Sequence, residues 1–219
     1  MQPDVDRELG EAYRREAMGA FAHEIRTPLT SIKMVIELAR RQSEGDELRL
    51  DGELADMLRT SVDDLQLLAD DLQEASRLER GRVTLSPGPC DLAAAINAAG
   101  EMLRGIHLSN AATVDIDGPW DAPRLVRAIA GFAESANRIG DGSGLVTLDV
   151  TPAAGAVELR FCSGRPQGDE RPIAADAGYS FFRSRQLVLA MGGSVHCRRA
   201  ERFATFVVAL PLGQRGSAP

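Results

Sequence analysis

The hydrophobic positions of the first 80 residues repeat with the period of an α-helix. Apolar side chains recur every three or four residues from about Val5 to Arg41, at Phe21, Ile25, Leu29, Ile32, Ile36 and Ala39. A second segment, from about Glu47 to Arg80, repeats this stripe at Leu54, Leu58, Leu65, Leu68, Leu72 and Ala75. Such spacing places each set on one helix face, and the polar connection between them contains a glycine. We therefore predict a hairpin of two long helices.

A single hairpin of this kind buries little apolar surface by itself. Two copies would complete a four-helix bundle, in which each apolar face is covered by the partner. The pattern therefore predicts a homodimer through residues 1–86.

The prolines of Ser86-Pro87-Gly88-Pro89 end any helix that continues from the preceding segment. Beyond them, segments in which apolar residues repeat every two residues alternate with segments in which they repeat every 3.6 residues. The predicted helices are Asp91–Arg104, Pro123–Ile139 and Tyr179–Met191. The predicted strands are Arg82–Ser86, Thr113–Asp117, Leu145–Thr151, Val157–Cys162, Ser194–Arg198 and Phe203–Leu210. Short connections at Pro152–Gly155 and Ala200–Glu201 indicate hairpins and a partly antiparallel sheet.

The predicted fold class is α+β, with a helical hairpin at residues 1–86 followed by an α/β sandwich at residues 87–212. The tail 213–219 is predicted to be disordered. The charges divide in the same way. Residues 1–86 carry 19 acidic and 12 basic side chains, whereas residues 87–219 carry 13 of each. This uneven distribution favours two modules.

Composition narrows the possible classes of protein. With 219 residues, 44% hydrophobic and 26% charged, the chain is typical of globular domains. A net charge of −7 argues against a general nucleic-acid binder. The chain has neither an apolar run of about 18 residues, which a membrane span needs, nor a signal-peptide pattern. Its three cysteines, Cys90, Cys162 and Cys197, lack metal-ligand spacing. We therefore expect a reduced, cytoplasmic protein.

The first helix carries the clearest candidate chemistry. His23 lies two positions from both Phe21 and Ile25, so it points away from the apolar stripe and toward water. An exposed imidazole is a good nucleophile near neutral pH and can carry a phosphoryl group. The neighbouring residues are chemically suited to assist. Glu24 can accept the proton of the other ring nitrogen, Arg26 can donate to phosphoryl oxygens, and Thr27 can orient a water or an oxygen from one turn away.

Each of these residues alone also has an ordinary explanation, because exposed helix histidines are mostly solvated and Glu–Arg neighbours are mostly surface charge. The complete string is more specific. His-Glu-Ile-Arg-Thr-Pro-Leu-Thr at 23–30 resembles the H-box of bacterial sensor histidine kinases. The segments 76–85, 190–195 and 206–212 resemble the family's domain junction and the closing elements of its ATP-binding domain. The resemblance implies that His23 is a phosphoacceptor.

The same resemblance implies an ATP site in the second domain, but three of its motifs depart from the family pattern. Gly131 and Ser135 stand where the N-box has two asparagines, one of them a magnesium ligand. Ser163 stands where an aspartate recognises adenine. In the last glycine box, Asp176-Ala-Gly-Tyr-Ser-Phe181 keeps only Gly178, and Asp176, Tyr179 and Ser180 are expected to hinder the triphosphate. We therefore predict that ATP binding is lost.

Other candidate sites have weaker patterns. Asn137 lies two residues past the N-box position and is interpreted as a helix-surface residue. The glycine cluster 140–144 follows a helix and precedes a strand, the reverse of a phosphate loop, so it is predicted to be a turn. His107 is isolated, and His196 points away from Cys197 on a strand, which disfavours a metal site.

By resemblance, this combination implies a histidine phosphotransferase that passes a phosphoryl group between the receiver aspartates of response regulators through His23. Glu24 would be its base, and Arg26 and Thr27 would steady the phosphoryl group. No cofactor of its own is expected, because Mg²⁺ would come with the receiver domain. Neither nucleic acid nor membrane is an expected partner. Two alternatives stay open: an ATP-dependent kinase with a diverged pocket, and a scaffold without catalysis.

Overall fold

The computed structural model describes most of the chain, including both helices of the first segment and the sheet of the second. The described residues are 3–43, 49–80, 82–110, 115–165, 171–172, 178–200 and 202–213. Within these ranges, no helix combines the length and apolar character needed to cross a membrane.

Two long helices form the N-terminal hairpin. Helix α1 spans Pro3–Arg41 and helix α2 spans Gly52–Glu79. Asp51 caps α2, because its carboxylate accepts from the backbone N–H of Leu54 at 2.8 Å. Pro28 lies inside α1, and the helix continues through it. The predicted hairpin is therefore present.

The packed face of α1 differs in part from the predicted stripe. Phe21 and Ala39 are buried as expected, but Leu29 and Ile36 are 44% and 45% exposed. Val35, which the stripe omitted, is fully buried in its place. Spacings of three and four trace two adjacent lines along a helix, and only one of these lines faces α2 in a single hairpin.

The described residues of the second part of the chain form two sheets and three helices. Its helices are α3 (Leu92–Met102), α4 (Ala122–Ile139) and α5 (Gly178–Ala190). Its strands are β1 (Gly88–Asp91), β2 (His107–Asn110), β3 (Asp117–Trp120), β4 (Leu145–Ala153), β5 (Ala156–Gly164), β6 (Arg171–Pro172), β7 (Ser194–Ala200) and β8 (Phe203–Pro211).

The main sheet is largely antiparallel. Its strand order is β2-β4-β5-β8-β7-β6, in which only the β2–β4 pair is parallel. The hairpins β4–β5 and β7–β8 confirm the predicted antiparallel pairs. Strands β1 and β3 form a separate antiparallel pair. Helix α4 packs on β4, β5 and β8, between α3 and α5, which confirms the α+β sandwich.

Two strand predictions need correction. Residues 82–86, predicted as a strand, form no regular element, and the pairing begins instead at β1. The predicted strand Thr113–Asp117 lies partly outside the described residues, and β3 begins only at Asp117. Strands β1, β2 and β6 were not predicted. Each of these short strands has four residues or fewer, too few for an alternation of apolar and polar side chains to emerge.

The core of the second domain is built around aromatic rings. Phe132 on α4 contacts Phe161, Phe181 and Phe206 at centroid distances of 5.7, 6.1 and 6.0 Å. Trp120 is buried, and its indole N–H donates to the carbonyl oxygen of Pro211 at 2.8 Å. This core holds α4 and α5 rigidly on the sheet, so these two helices can present fixed side chains to the hairpin.

Candidate functional site

His23 lies on the exposed surface of α1, as do Arg26 and Thr27. The backbone carbonyls of Arg26 and Thr27 accept from the Thr30 hydroxyl at 2.8 Å and from the Ser31 hydroxyl at 3.3 Å. The Thr30 and Ser31 hydroxyls are thus bonded to the backbone of their own helix. The predicted orientation of His23 toward solvent is therefore present, whereas the chemical roles of His23, Arg26 and Thr27 stay predictions.

Glu24 is held by the second domain. Its Oε1 atom accepts from Arg138 Nη1 at 2.7 Å and from the backbone N–H of Tyr179 at 3.2 Å. Neighbouring helix residues point about 100° apart. The hydrogen bonds found for the Glu24 carboxylate therefore lead to α4 and α5, and none of those found in the described part of the chain leads to the His23 ring.

An aromatic cluster joins α5 to the hairpin at Phe21, two residues before His23. The Phe21 and Tyr179 rings lie 5.1 Å apart at 57°, and Tyr179 also contacts Phe182 at 6.2 Å. Ala75 on α2 completes the buried part of the cluster. Tyr179 was expected to hinder a triphosphate, but its ring is buried against α1 instead. The sequence pattern did not reveal this contact, because the partners are more than 150 residues apart.

A buried ion pair lies beside this cluster. Arg183 on α5 donates to Asp71 on α2, and both side chains are buried. Burial raises the pKa of the Asp71 carboxyl, while the charge of Arg183 opposes that rise. In the sequence, Asp71 and Arg183 are only charged residues within two separate predicted helices, and no pattern connects them.

A second ionic contact joins α2 to the start of α4. Glu74 accepts from Arg124 Nε at 3.2 Å and from Arg127 Nη1 at 2.9 Å. The Arg124 guanidinium also donates to Asp121, which accepts in addition from the backbone N–H of Ser86 at 3.0 Å and of Arg124 at 3.3 Å. These hydrogen bonds together outweigh the effect of burial and lower the pKa of Asp121. The segment between the domains is thus fixed at Ser86.

The N-box positions offer no ligand for magnesium. Ser135 is fully buried, and its hydroxyl donates to the carbonyl oxygen of Gly131, one turn earlier, at 2.7 Å. A Cβ atom at Gly131 would overlap the Ser184 hydroxyl, so position 131 has no room for an asparagine. The residues present here do not fit a nucleotide-bound magnesium ion.

The position of the adenine-recognising aspartate is equally unsuited to that role. Ser163 is buried, and its hydroxyl donates to Asp141 Oδ1 at 3.3 Å. The Ser143 hydrogen bonds lower the pKa of the exposed Asp141 carboxyl. Residues 166–168 of this motif lie outside the described part of the chain.

The remaining glycine of the last box has a different neighbour from the one its motif predicts. Gly178 adopts a φ of 74°, and the Arg138 guanidinium lies where a side chain at position 178 would stand. Ser180 donates to Glu134 Oε2 at 3.0 Å. Asp176 lies outside the described residues. Gly178 therefore accommodates the protein's own arginine.

The other sequence candidates have structural roles. Asn137 Oδ1 accepts from the backbone N–H of Gly144 at 2.8 Å, and Gly142 and Gly144 have φ values of 65° and 78°. The cluster 140–144 is the predicted turn. No group of three or more metal-ligating side chains occurs within the ranges described, and Cys90, Cys162 and Cys197 form no disulfide there.

Comparison with known proteins identifies the class. Residues 13–81, which include His23 and both helices, match the family described as the His Kinase A (phospho-acceptor) domain. The fold of nearly the whole chain matches the solved Acinetobacter baumannii histidine kinase AdeS, with a TM-score of 0.64 at 17% identity over 88% of this chain and 98% of that one. Residues 13–81 are thus similar in sequence to a His Kinase A domain, and the chain has the fold of a histidine kinase core, a helical hairpin followed by an ATPase-like domain.

Particular relatives share part of their sequence with this chain. It is 26% identical to the Escherichia coli signal transduction histidine-protein kinase BaeS over 166 residues, 73% of this chain and 34% of that protein. It is 31% identical to the Mycolicibacterium smegmatis histidine-protein kinase/phosphatase MprB over 141 residues, 59% of this chain and 28% of that protein. The chain thus spans about a third of the length of these curated relatives.

A further solved structure shares the fold. The histidine kinase ThkA in complex with the response regulator TrrA has a TM-score of 0.59 at 18% identity, over 94% of this chain and 64% of that one. The likeness extends across the hairpin and the second domain.

Proposed function

We propose that the chain is a histidine phosphotransferase of a two-component phosphorelay, which carries a phosphoryl group on His23 between the receiver aspartates of response regulators and binds no ATP of its own. The observation that carries this proposal is a contrast within one chain. His23 stands exposed on the phosphoacceptor helix, while Ser135, at the magnesium-ligand position, is buried and bonded within its own helix.

In this reaction a neutral imidazole nitrogen of His23 attacks the phosphorus of an aspartyl phosphate on the receiver. The N–P bond forms as the O–P bond breaks, and the aspartate leaves as a carboxylate. The proton of the other ring nitrogen passes to Glu24 when that carboxylate is free. Arg26 and Thr27 are positioned to interact with the phosphoryl oxygens, and catalysis then rests mainly on orientation. The receiver's acidic pocket would supply the Mg²⁺.

The second candidate function is ATP-dependent autophosphorylation of His23. Its support is the likeness to BaeS and MprB, which are both histidine-protein kinases. Against it stand the positions of Gly131, Ser135 and Ser163, which hold neither an exposed amide nor an exposed carboxylate for a nucleotide or its metal. A scaffold without catalysis would have no chemical need for Thr27 beside His23, whereas the contact of Glu24 with Arg138 would serve a scaffold as well.

One labelling experiment separates these functions. Receiver domains are phosphorylated with radioactive acetyl phosphate and mixed with the wild-type chain or with His23→Gln. Label on the wild type alone supports the phosphotransferase. In parallel, both proteins receive Mg²⁺ and γ-labelled ATP, and label on His23 from ATP would establish the kinase instead. Label from neither source would favour the scaffold.

Homodimer formation belongs to the same proposal. In the single chain, α1 exposes Leu29, Met34 and Ile36, and α2 exposes Val62 and Leu67. Apolar side chains repeated along two neighbouring helices match the face that a second hairpin would cover. Sedimentation equilibrium should give twice the chain mass, and Ile36→Glu with Val62→Glu should shift the protein toward monomer. A wild-type chain that is monomeric at micromolar concentration would contradict this part of the proposal.

A further inference from the structure

The contact between the two domains combines a small apolar cluster with several charges. Its apolar part is the cluster of Phe21, Ala75, Tyr179 and Phe182. Around this cluster, acidic residues of the hairpin meet basic residues of the second domain in the pairs Asp71–Arg183, Glu74–Arg124, Glu74–Arg127 and Glu24–Arg138. The interface is therefore more ionic than the interior of either domain, as is typical of interfaces that open and close.

The buried Asp71–Arg183 pair leaves polar atoms without partners. Among the residues described, Asp71 Oδ1, Arg183 Nε and the Ser184 hydroxyl have no hydrogen-bond partner. Each such atom costs free energy in the closed arrangement, and water would satisfy Asp71 Oδ1 and Arg183 Nε if α5 moved away from α2. These costs offset part of the apolar gain of docking.

The other end of the same interface reaches the phosphoacceptor site. When α5 lies on the hairpin, Arg138 and the Tyr179 amide both donate to Glu24, the residue next to His23. Both donors belong to the second domain and hold Glu24 Oε1 on the side of α1 that faces α4 and α5. The closed arrangement therefore withholds Glu24 from the His23 ring.

We propose that the Asp71–Arg183 pair is an interdomain latch, and that opening it releases Glu24 and accelerates phosphoryl exchange at His23. The effect on rate rests on the function proposed above, whereas the latch itself does not. A buried ion pair adds little net stability, because desolvation offsets the attraction between its charges. A buried charge without an opposite partner destabilises the contact strongly. The pair thus makes docking of α5 depend on two opposite charges.

A charge-reversal cycle tests the latch. Asp71→Arg and Arg183→Asp each place like charges in contact, and the double variant D71R/R183D restores opposite charges. The first readout is hydrogen exchange at the Tyr179 amide, which donates to Glu24 in the closed arrangement. We expect each single variant to speed this exchange at least about tenfold, and the double variant to return it toward the wild-type rate.

The matched control is Arg160→Asp, which reverses the charge of an exposed ion pair with Glu158 on β5. It should leave Tyr179 exchange unchanged. Fluorescence of the buried Trp120 follows unfolding of the second domain in every variant, so a misfolded protein is recognised as such. Single variants that fold but keep the wild-type exchange rate at Tyr179 would overturn the latch, as would a double variant that exchanges as fast as the singles.

The second readout is transfer of label from a phosphorylated receiver domain to His23. We expect the single variants to transfer label about tenfold faster than the wild type. This gain is smaller than that of general-base catalysis as a whole, because the latch of the wild type is also open part of the time. Faster amide exchange without faster transfer would overturn the link to His23. If no variant takes label, the phosphotransferase proposal fails, and the amide exchange still decides whether the latch exists.

Discussion

The guanidinium of Arg138 lies against Gly178, in the space that a side chain at position 178 would need. Gly178 has a φ of 74°, a conformation that costs little only for glycine. The absence of a side chain lets Arg138 reach Glu24 Oε1 at 2.7 Å. A glycine of a motif that resembles a phosphate-binding box therefore makes room for an arginine that binds the helix carrying His23.

This relationship makes Gly178→Ala a sensitive substitution. The new methyl group would displace the Arg138 guanidinium and strain the backbone, together costing about 1–3 kcal/mol. We expect the Glu24 contact to be lost and the Tyr179 amide to exchange faster. Gly142→Ala is the matched control, since it has a φ of 65° but nothing near its Cβ position. It should destabilise the second domain without affecting Tyr179, and equal exchange in both variants would contradict the prediction.

The aromatic contact between Phe21 and Tyr179 leads to a second prediction. Truncating a buried phenylalanine typically costs about 3–5 kcal/mol, and here the loss is shared between the hairpin and the docking of α5. Phe21→Ala should therefore lower the melting temperature of the hairpin and raise exchange at Tyr179. Met18→Ala, one turn earlier and 53% exposed, should change neither measurement. A Phe21→Ala variant with wild-type exchange would show that the ring does not hold α5.

Asp121 stabilises the second domain through the start of α4. It caps the helix through the Arg124 backbone N–H at 3.3 Å and fixes Ser86. Asp121→Ala should lower the free energy of unfolding by about 2 kcal/mol, as followed in urea by Trp120 fluorescence.

The direction of the Asp121 pKa shift determines how this stabilisation depends on pH. Because the pKa of Asp121 is lowered in the folded chain, its contribution is present above the ordinary value of 3.8 and is lost as the pH falls through the lowered value. The difference in stability between wild type and Asp121→Ala should therefore shrink below about pH 4. A constant difference from pH 7 to pH 3 would contradict this assignment.

The long elements could be predicted because their patterns are long and local. The stripes of α1 and α2, and the alternation in β4, β5, β7 and β8, extend over enough residues to identify each element, although the buried face of α1 was predicted only in part. The exposed orientation of His23 followed from the same stripe. Strands β1 and β2 are too short for such a pattern and contain Pro89 and His107, residues that do not mark a strand.

The docking of α5 could not be predicted, because it depends on pairs far apart in sequence. Phe21 and Tyr179, or Asp71 and Arg183, carry no local pattern that connects them. Tyr179 was read as an obstacle to a nucleotide because its neighbours were compared with a glycine box. Its position against α1 depends on where the sheet places the first turn of α5, which is determined by the complete fold of the second domain.

The last prediction concerns the pH dependence of docking. Burial raises the pKa of Asp71 above the ordinary value of 3.8, while Arg183 and Arg127 lower it and Glu74 raises it further. A group with a raised pKa binds its proton more tightly in the closed arrangement than in the open one. The closed arrangement is therefore favoured at low pH and loses this contribution as the pH rises through the raised value. Acidification from neutrality toward the ordinary value of 3.8 should make the chain more compact in small-angle scattering. The double variant Asp71→Leu/Arg183→Met keeps an apolar contact and no titrating group at this position, so its radius of gyration should not change over the same range. Expansion of the wild type on acidification would show that the pair with Arg183 outweighs the burial of Asp71, and the sign of the switch would be reversed.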